Sequence, residues 1–234
     1  MLLLAIDTAT DGVAVAVHDG SDVLASRRAG DARHHNEVLV ATIEAVLAEA
    51  GRSRTEVSDL AVGVGPGPFT GLRVGLATAR TLALAWDAAL HGVCSLDAIA
   101  AQAVADGSVG PGEEFLVATD ARRREVHTAR YGVTGEGLHR LAGPDVLAPA
   151  EVERGDLVVL GRGTQLYPEF LGPERAPYDV DGAALARVVV DALAGRGGLE
   201  LLPAQPLYLR RPDATEPGTR KRVTARIEGP GVRE

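Results

Sequence analysis

The 234-residue sequence predicts an α/β fold of two duplicated lobes, each with a mixed sheet and packed helices. Residues 3–17 align with residues 116–130, and both segments have the pattern of an apolar strand, an aspartate, a polar turn and a second strand. Asp7 and Asp120 take matching positions in this alignment. A repeated strand–Asp–turn–strand opening predicts two related lobes that face each other across a cleft.

Hydrophobic periodicity places the elements and the domain boundaries. The N-terminal lobe, residues 1–96, is predicted to contain a hairpin over 2–18, strands near 22–29, 59–64 and 89–93, and helices over 36–50 and 71–86. The smaller second lobe, residues 97–211, is predicted to contain a hairpin over 115–132, a strand over 157–160, and helices over 96–105 and 182–195. Asp181 and Gly195 are expected to cap and end the last helix. Residues 133–156 show little pattern, and residues 212–234 are predicted to form a disordered basic tail.

Composition narrows the class of protein. Apolar residues make up 46% of the chain and aromatic residues only 3%, so the core is expected to consist of Ala, Val and Leu. The single cysteine, Cys94, excludes an internal disulfide and fits a reducing cytoplasm, where we expect the protein to work. No apolar run approaches membrane-spanning length, so no membrane contact is predicted.

The net charge of −8 argues against a chain that grips RNA over its whole surface. Residues 210–226 nevertheless contain six basic residues against two acidic ones. A basic segment on an acidic protein is most often solvated or in contact with a partner, and direct RNA contact is the alternative.

A rigid loop of Gly and Pro joins the strand that ends near Val64 to the following helix. Gly65 and Gly67 allow backbone angles that are closed to other residues, while the prolines between and after them fix φ. Thr70 is expected to cap a helix that opens at Gly71. Such a loop could hold an anion on its backbone N–H groups, or it could be a sharp turn.

The helix after this loop has a face almost bare of side chains, because Gly71, Gly75, Ala79 and Ala83 recur every fourth residue. Small residues at this spacing allow close approach of another element. The face could therefore pack on the sheet of its own chain or dock on a partner, with Arg73 at its rim.

These residues resemble the TsaB (YeaZ) family of bacterial proteins. The resemblance rests on GPGPFTGLRVG at 65–75, with support from LLLAIDTAT, GVCSLDAIA, ATDARRREVHTARY and PLYLRRPDA. It covers most of the chain, residues 132–200 contributing least. It implies the fold of the actin, hexokinase and Hsp70 superfamily, which is of the ribonuclease H type. It also implies a non-catalytic subunit of the machinery that installs threonylcarbamoyladenosine on tRNA.

The resemblance also implies partners. The expected partner is a TsaD-like catalytic subunit, with a TsaE-like ATPase, tRNA bound through the complex, and a homodimer as an alternative. We expect the two long helices of the first lobe to dock on it. The residues predicted for this contact are Leu39, Ile43, Val46, Gly71, Arg73, Gly75, Ala79 and Ala83.

Working enzymes of the superfamily bind nucleotide in the cleft, which suggests a second set of candidates. Asp7, Thr8 and Thr10 occupy the turn that would contact phosphates, and Gly161 and Gly163 follow a strand where a nucleotide loop would lie. Gly65, Gly67, Thr70 and Asp120 complete this set. No cofactor is expected for the chain itself, although ATP or ADP could lie at the partner interface. The alternative function is an autonomous ATP-dependent kinase or carbamoyltransferase that uses Asp7 and Asp120.

Metal and nucleophile chemistry find little support in the sequence. The TsaD relatives carry two histidines four residues apart on one helical face. Here His34 and His35 are followed four places later by Val38 and Leu39, so we predict no metal ligand. No G-x-S-x-G motif is present, and no catalytic residue is predicted.

Overall fold

The computed structural model describes residues 1–29 and 35–210, with the side chains of 35–37 left out. A five-stranded sheet forms first, in the order β3-β2-β1-β4-β5. Its strands are β1 (Leu3–Asp7), β2 (Val13–His18), β3 (Val23–Ala29), β4 (Asp59–Gly63) and β5 (Ala89–Val93). Helices α1 (His35–Glu49) and α2 (Phe69–Trp86) connect its strands.

The second sheet has four strands in the order β8-β7-β6-β9. They are β6 (Glu114–Asp120), β7 (Val126–Thr134), β8 (Gly137–Leu147) and β9 (Val158–Leu160). Helix α3 (Ser95–Ala105) precedes this sheet, and α4 (Gly163–Leu166), α5 (Pro168–Leu171) and α6 (Gly182–Leu193) follow it. Short 3₁₀ turns cover Arg54–Glu56 and Pro149–Glu151.

The two sheets repeat one topology. In each, a central strand pairs antiparallel with the next strand along the chain and parallel with a later one: β1 with β2 and β4, and β6 with β7 and β9. The third strand then adds antiparallel to the second. The predicted duplicated α/β fold is therefore confirmed.

Most predicted elements lie where the periodicity placed them, but β8, the short helices α4 and α5, and the start of α2 differ from the prediction. Strand β8 was not predicted, because residues 133–156 do not alternate cleanly and β8 is largely exposed. Helix α2 begins at Phe69 with Pro68 as its N-cap, so the expectation that Thr70 caps a helix opened at Gly71 is wrong. Asp181 does cap α6, accepting hydrogen bonds from the N–H groups of Ala183 and Ala184.

The first sheet is covered on both faces. Because side chains alternate along a strand, Leu4 and Ile6 of β1 point into one core cluster, while Leu3 and Ala5 point into another. Helices α1 and α2 pack over the first cluster, and α3 and α6 lie in the second, between the two sheets. This arrangement explains why every residue of β1 and β2 is buried.

Residues 199–210, here called the C-terminal strap, run back across both sheets. Leu202 exchanges hydrogen bonds with Gly92 of β5, and the N–H of Leu207 donates to the carbonyl of Val64 at 2.8 Å. Arg210 then reaches the carbonyl of Ala121 in the β6–β7 turn. The strap therefore ties the first sheet to the second. The domain boundaries at 96 and 211 stay a prediction, and the predicted tail, residues 212–234, lies outside the described residues.

No helix in the described parts of the chain is both long and apolar enough to cross a membrane. The expected cytoplasmic location stays a prediction.

Candidate functional site

Asp7, the residue expected to act at the cleft, is completely buried. Its Oδ1 accepts hydrogen bonds from the backbone N–H groups of Ala9 at 2.9 Å and Thr10 at 3.3 Å, and its Oδ2 accepts one from the Ser95 hydroxyl at 2.7 Å. Burial raises the pKa of Asp7, and these hydrogen bonds oppose the rise. A Cβ on Gly63 would lie 1.8 Å from Oδ2, so the carboxylate is enclosed by its own chain.

Thr8 is likewise directed inward and joins the β1–β2 turn to α2. Its hydroxyl donates to the carbonyl of Gly71 at 2.7 Å and accepts from the N–H of Gly75 at 3.0 Å. The side chain is buried. Thr8 therefore positions a helix and is not open to a phosphate.

The glycines of the Gly-Pro loop allow close contact between backbone segments. A Cβ on Gly67 would lie 2.2 Å from the carbonyl oxygen of Ala9, and Gly65 has a φ of +93°. Ala9 thus fills the space beside Gly67, and the sharp-turn interpretation is the one that the structure supports. Thr70 lies exposed in the first turn of α2.

The second glycine pair packs in the same way. Gly161 has a φ of +108°, and a Cβ on it would lie 2.2 Å from the carbonyl oxygen of Ala118. A Cβ on Gly163 would lie 3.0 Å from the Cβ of Ala118 on the same strand. Both glycines seat the segment after β9 against β6, which leaves no nucleotide loop there.

The cleft between the sheets is narrow and charged. Its cavity measures about 20 Å³, room for a single water molecule. Of the predicted nucleotide residues, only Thr10 and Asp120 line it, so the structure does not bring the predicted set together. The remaining lining residues are Ala9, Asp11, Pro68, Thr119, Arg122, Arg162 and Asp179.

Six charged side chains close this cleft, and we call them the interlobe latch: Asp11, Arg28, Asp120, Arg122, Arg162 and Asp179. Asp179 pairs with Arg28 at 2.6 Å and accepts from the Nε of Arg162 at 3.0 Å. Arg122 pairs with Asp120 at 2.9 Å and approaches Asp11 to 3.7 Å. Arg28 and Asp11 belong to the first lobe and the others to the second, so the Arg28–Asp179 and Arg122–Asp11 pairs cross the cleft.

The latch lowers the pKa of Asp179. Burial alone would raise it, but hydrogen bonds from Arg162 and Arg28 and their positive charges bring the pKa below the ordinary value of 3.8. The arginines that could meet a phosphate are thus already satisfied by carboxylates of the same chain.

The residues predicted to dock on a partner are mostly in the core, which corrects that prediction. Leu39, Ile43 and Val46 of α1 are at most 4% exposed. Gly71, Gly75, Ala79 and Ala83 of α2 are also buried, because the bare face lets this helix lie close on its own sheet. A Cβ on Gly75 would lie 2.4 Å from the Thr8 hydroxyl oxygen. Arg73 alone of the predicted set is exposed.

The opposite faces of the two helices are open, and α1 lies beside α2. We call this surface the outer face. Val40 is 55% exposed and Leu84 is 87% exposed. Its other exposed residues are Ala41, Glu44 and Ala48 on α1, and Ala77, Thr81 and Ala85 on α2, so most of them are small.

Of the six latch residues, sequence reasoning identified only Asp120 and missed Asp11, Arg28, Arg122, Arg162 and Asp179. The one local signal is the position of Arg162 between Gly161 and Gly163, which holds it at the cleft.

The described residues contain no group of three His, Cys, Asp or Glu side chains able to hold a metal. His34 lies outside the described residues, and His35 begins α1. Cys94 is buried, and burial raises the pKa of its thiol to about 12, as expected of an inert residue.

Comparison with known proteins identifies the family of this chain. A family model described as "TsaD: tRNA N6-adenosine threonylcarbamoyltransferase" matches residues 27–166. The chain is 33% identical over 224 residues to the tRNA threonylcarbamoyladenosine biosynthesis protein TsaB of Escherichia coli, covering 90% of this chain and 95% of that protein. The chain belongs to the TsaB (YeaZ) family.

Solved structures agree with this membership. YeaZ from Pseudomonas aeruginosa superposes with a TM-score of 0.74 and 26% identity, covering 89% of this TsaB-family chain and 99% of that structure.

A Mycobacterium tuberculosis relative is 40% identical over 216 residues, or 91% of this chain and 93% of the relative. A Mycobacterium leprae relative is also 40% identical, but the match spans 56% of that longer protein.

Proposed function

We propose that this TsaB-family chain is a non-catalytic subunit of the machinery that makes threonylcarbamoyladenosine in tRNA. The observation that carries the non-catalytic part is the Asp7 carboxylate, whose two oxygens are both bonded within the chain. Asp7 does not line the cleft, and the cavity that the latch leaves there is far smaller than the 300–1,000 Å³, roughly, of a typical ligand pocket. The names of the relatives support the pathway.

The proposed partner is a TsaD-like catalytic subunit, which would bind the outer face of α1 and α2. Small exposed residues such as Ala41, Ala77 and Thr81 allow two helices of a partner to approach closely. Val40 and Leu84 supply apolar area for burial. A second copy of this chain could pair through the same face when the partner is absent.

In this proposal the reaction takes place on the partner. Docking on the outer face would hold the catalytic subunit in its active arrangement, and the partner would transfer the threonylcarbamoyl group from its adenylate to the adenosine of tRNA. A TsaE-like ATPase would complete the cycle, with ATP or ADP at an interface of the complex. The chain itself would contribute a rigid surface.

The test places a charge in the outer face. Ala77→Arg with Thr81→Arg should weaken the complex with the TsaD-like subunit about 100-fold or more, because an unpaired arginine would be buried at the contact. Ala105→Arg, at the exposed end of α3, is the matched control and should leave the affinity unchanged. Size-exclusion chromatography with light scattering and titration calorimetry measure both. Equal affinity of all three proteins would show that the outer face is not the contact.

The alternative, an autonomous ATP-dependent enzyme, predicts nucleotide binding by the isolated chain. Calorimetry with Mg-ATP at about 1 mM should give no binding heat if the latch fills the cleft as described. Saturable binding with turnover would favour the alternative and contradict our proposal.

A further inference from the structure

A row of arginines follows the C-terminal strap across both lobes. At one end, the Nε of Arg80 donates to the carbonyl of Ala204 at 2.9 Å. Seven residues earlier on α2, the Nε of Arg73 donates to the hydroxyl of Tyr208 at 3.0 Å. At the other end, Arg210 contacts the β6–β7 turn, which contains Arg122, Arg123 and Arg124.

An exposed aromatic pair lies in the middle of this row. Phe69 and Tyr208 stack with their ring centroids 5.4 Å apart, and the guanidinium carbon of Arg73 lies 3.5 Å from the centroid of Phe69. Phe69 is 42% exposed and Tyr208 is 39% exposed. Arg73 and Tyr208 both contact the ring of Phe69. A further flat group could therefore stack on the side of the Tyr208 ring that faces away from Phe69.

Two arginines of the row have carboxylate partners, Arg210 with Glu125 and Arg122 with Asp120, so the open positive charge comes from Arg73, Arg80 and Arg124. Neither α2 nor residues 201–210 contain an acidic residue. Within residues 1–29 and 35–210, no carboxylate pairs with Arg73, Arg80 or Arg124, whereas Arg27, Arg130 and Arg196 elsewhere on the surface each have one. Unpaired arginines beside one another attract an anionic partner.

The backbone of the β6–β7 turn gives an independent reason to look here. Arg122, Arg123 and Arg124 have φ values of 60°, 56° and 62°, so three successive non-glycine residues are left-handed. Each costs roughly 1–2 kcal/mol relative to the right-handed form. Strained residues of this kind cluster at binding and switch sites, which makes the turn a candidate surface.

We propose that this strap face, consisting of Arg73, Arg80, Arg124 and Tyr208, binds a single-stranded segment of RNA. Guanidinium groups would contact successive phosphates, and an unpaired base would stack on Tyr208, a combination that single-strand binding surfaces share. The strap from 204 to 210 spans at most about 20 Å, enough for a short run of nucleotides. The choice of RNA over other polyanions rests on the proposed function.

The strap face adjoins the surface proposed for the TsaD-like partner. Arg73 and Arg80 lie on the flank of α2 that meets the strap, and Thr81 and Ala85 lie on the far flank. Ala77 and Leu84 lie between the flanks, one turn from these arginines. Because the two faces share this border, RNA binding and partner binding are measured separately on each variant, so that each proposal can fail without the other.

The experiment measures fluorescence anisotropy of an unstructured RNA of about 15 nucleotides, with the full chain alone and in complex with its TsaD-like subunit. Replacing Arg73, Arg80 and Arg124 with Gln should weaken binding at least tenfold. It should also reduce the slope of log affinity against log salt by about 2. The matched control replaces Arg27, Arg130 and Arg196 with Gln, which removes the same charge and should leave the affinity unchanged.

Stacking is tested at Tyr208. Tyr208→Phe keeps the ring and should retain RNA affinity, while Tyr208→Ala should lose about tenfold. Circular dichroism melts check that all variants fold. The proposal is overturned if the wild type does not bind RNA in either form, or if the control triple weakens binding equally. It is also overturned if the strap-face triple loses the TsaD-like subunit and keeps the RNA, because the face would then be a protein contact. Loss of RNA with the complex intact supports it.

Discussion

The backbone N–H of Gly75 donates a 3.0 Å hydrogen bond to the hydroxyl of Thr8, which joins the second helix to the turn after the first strand. This contact fixes α2 on the sheet and uses the bare helical face that had been predicted to meet a partner. Substitutions on this face would therefore test the fold of this chain and not its contact with a partner.

Gly75→Ala should destabilise the protein by about 2–4 kcal/mol, because its Cβ would collide with the Thr8 hydroxyl and break the hydrogen bond. Urea denaturation followed by circular dichroism measures the loss. Ala77→Leu adds bulk to the exposed face of the same helix and should cost less than about 0.5 kcal/mol.

Thr8→Ala supplies an internal check, because it removes the atom with which the new methyl collides. The double variant Thr8→Ala, Gly75→Ala should lose less stability than the sum of the two single variants. Strict additivity would show that the two positions do not interact as described.

Asp7→Asn should leave the modification rate of the reconstituted complex within about twofold of the wild type. The amide can still accept from the N–H groups of Ala9 and Thr10, and its NH₂ group can donate to the Ser95 hydroxyl. A general acid or base would lose roughly 10²–10⁴-fold on the same change. The measurement is the rate of threonylcarbamoyladenosine formation. A loss of that size would show that Asp7 takes part in catalysis.

Asp179→Asn should cost about 2–3 kcal/mol at neutral pH, because it leaves Arg28 and Arg162 without their shared carboxylate. The pKa of Asp179 is lower in the folded protein than in the unfolded chain. Its stabilising contribution is therefore complete above pH 3.8 and is lost as the pH falls through the lowered folded pKa.

The difference in unfolding free energy between wild type and Asp179→Asn should accordingly shrink as the pH drops below 3.8, which denaturation at a series of pH values can follow. Asp191→Asn is the matched control, because Asp191 pairs with Arg196 on the exposed surface and should contribute less than about 1 kcal/mol. A difference that stays constant into strong acid would mean that the carboxylate of Asp179 does not act through its charge.

The sequence allowed the duplicated fold to be predicted because its signals are local. Continuous apolar runs mark β1 and β6, alternating valines mark β2, and the aspartates at 7 and 120 align the two copies. Strand β8 escaped prediction because its exposed residues follow no clear alternation, and its place depends on pairing with β7.

The functional surfaces were harder to predict, for two physical reasons. A face of small residues looks the same whether it packs on its own sheet or on a partner, and an arginine at its rim fits either arrangement. The latch joins residues far apart in the chain, such as Arg28 and Asp179, and only the folded topology brings them together.

The strap has a consequence for motion. A protein that binds nucleotide between two lobes must admit and release it, which requires the lobes to move apart. Here residues 199–210 are bonded to β5 at one end and to the β6–β7 turn at the other, and charged pairs bridge the gap beneath them. Parting the halves would mean peeling this segment away, so the molecule is built to stay shut and to present a constant shape to whatever binds it.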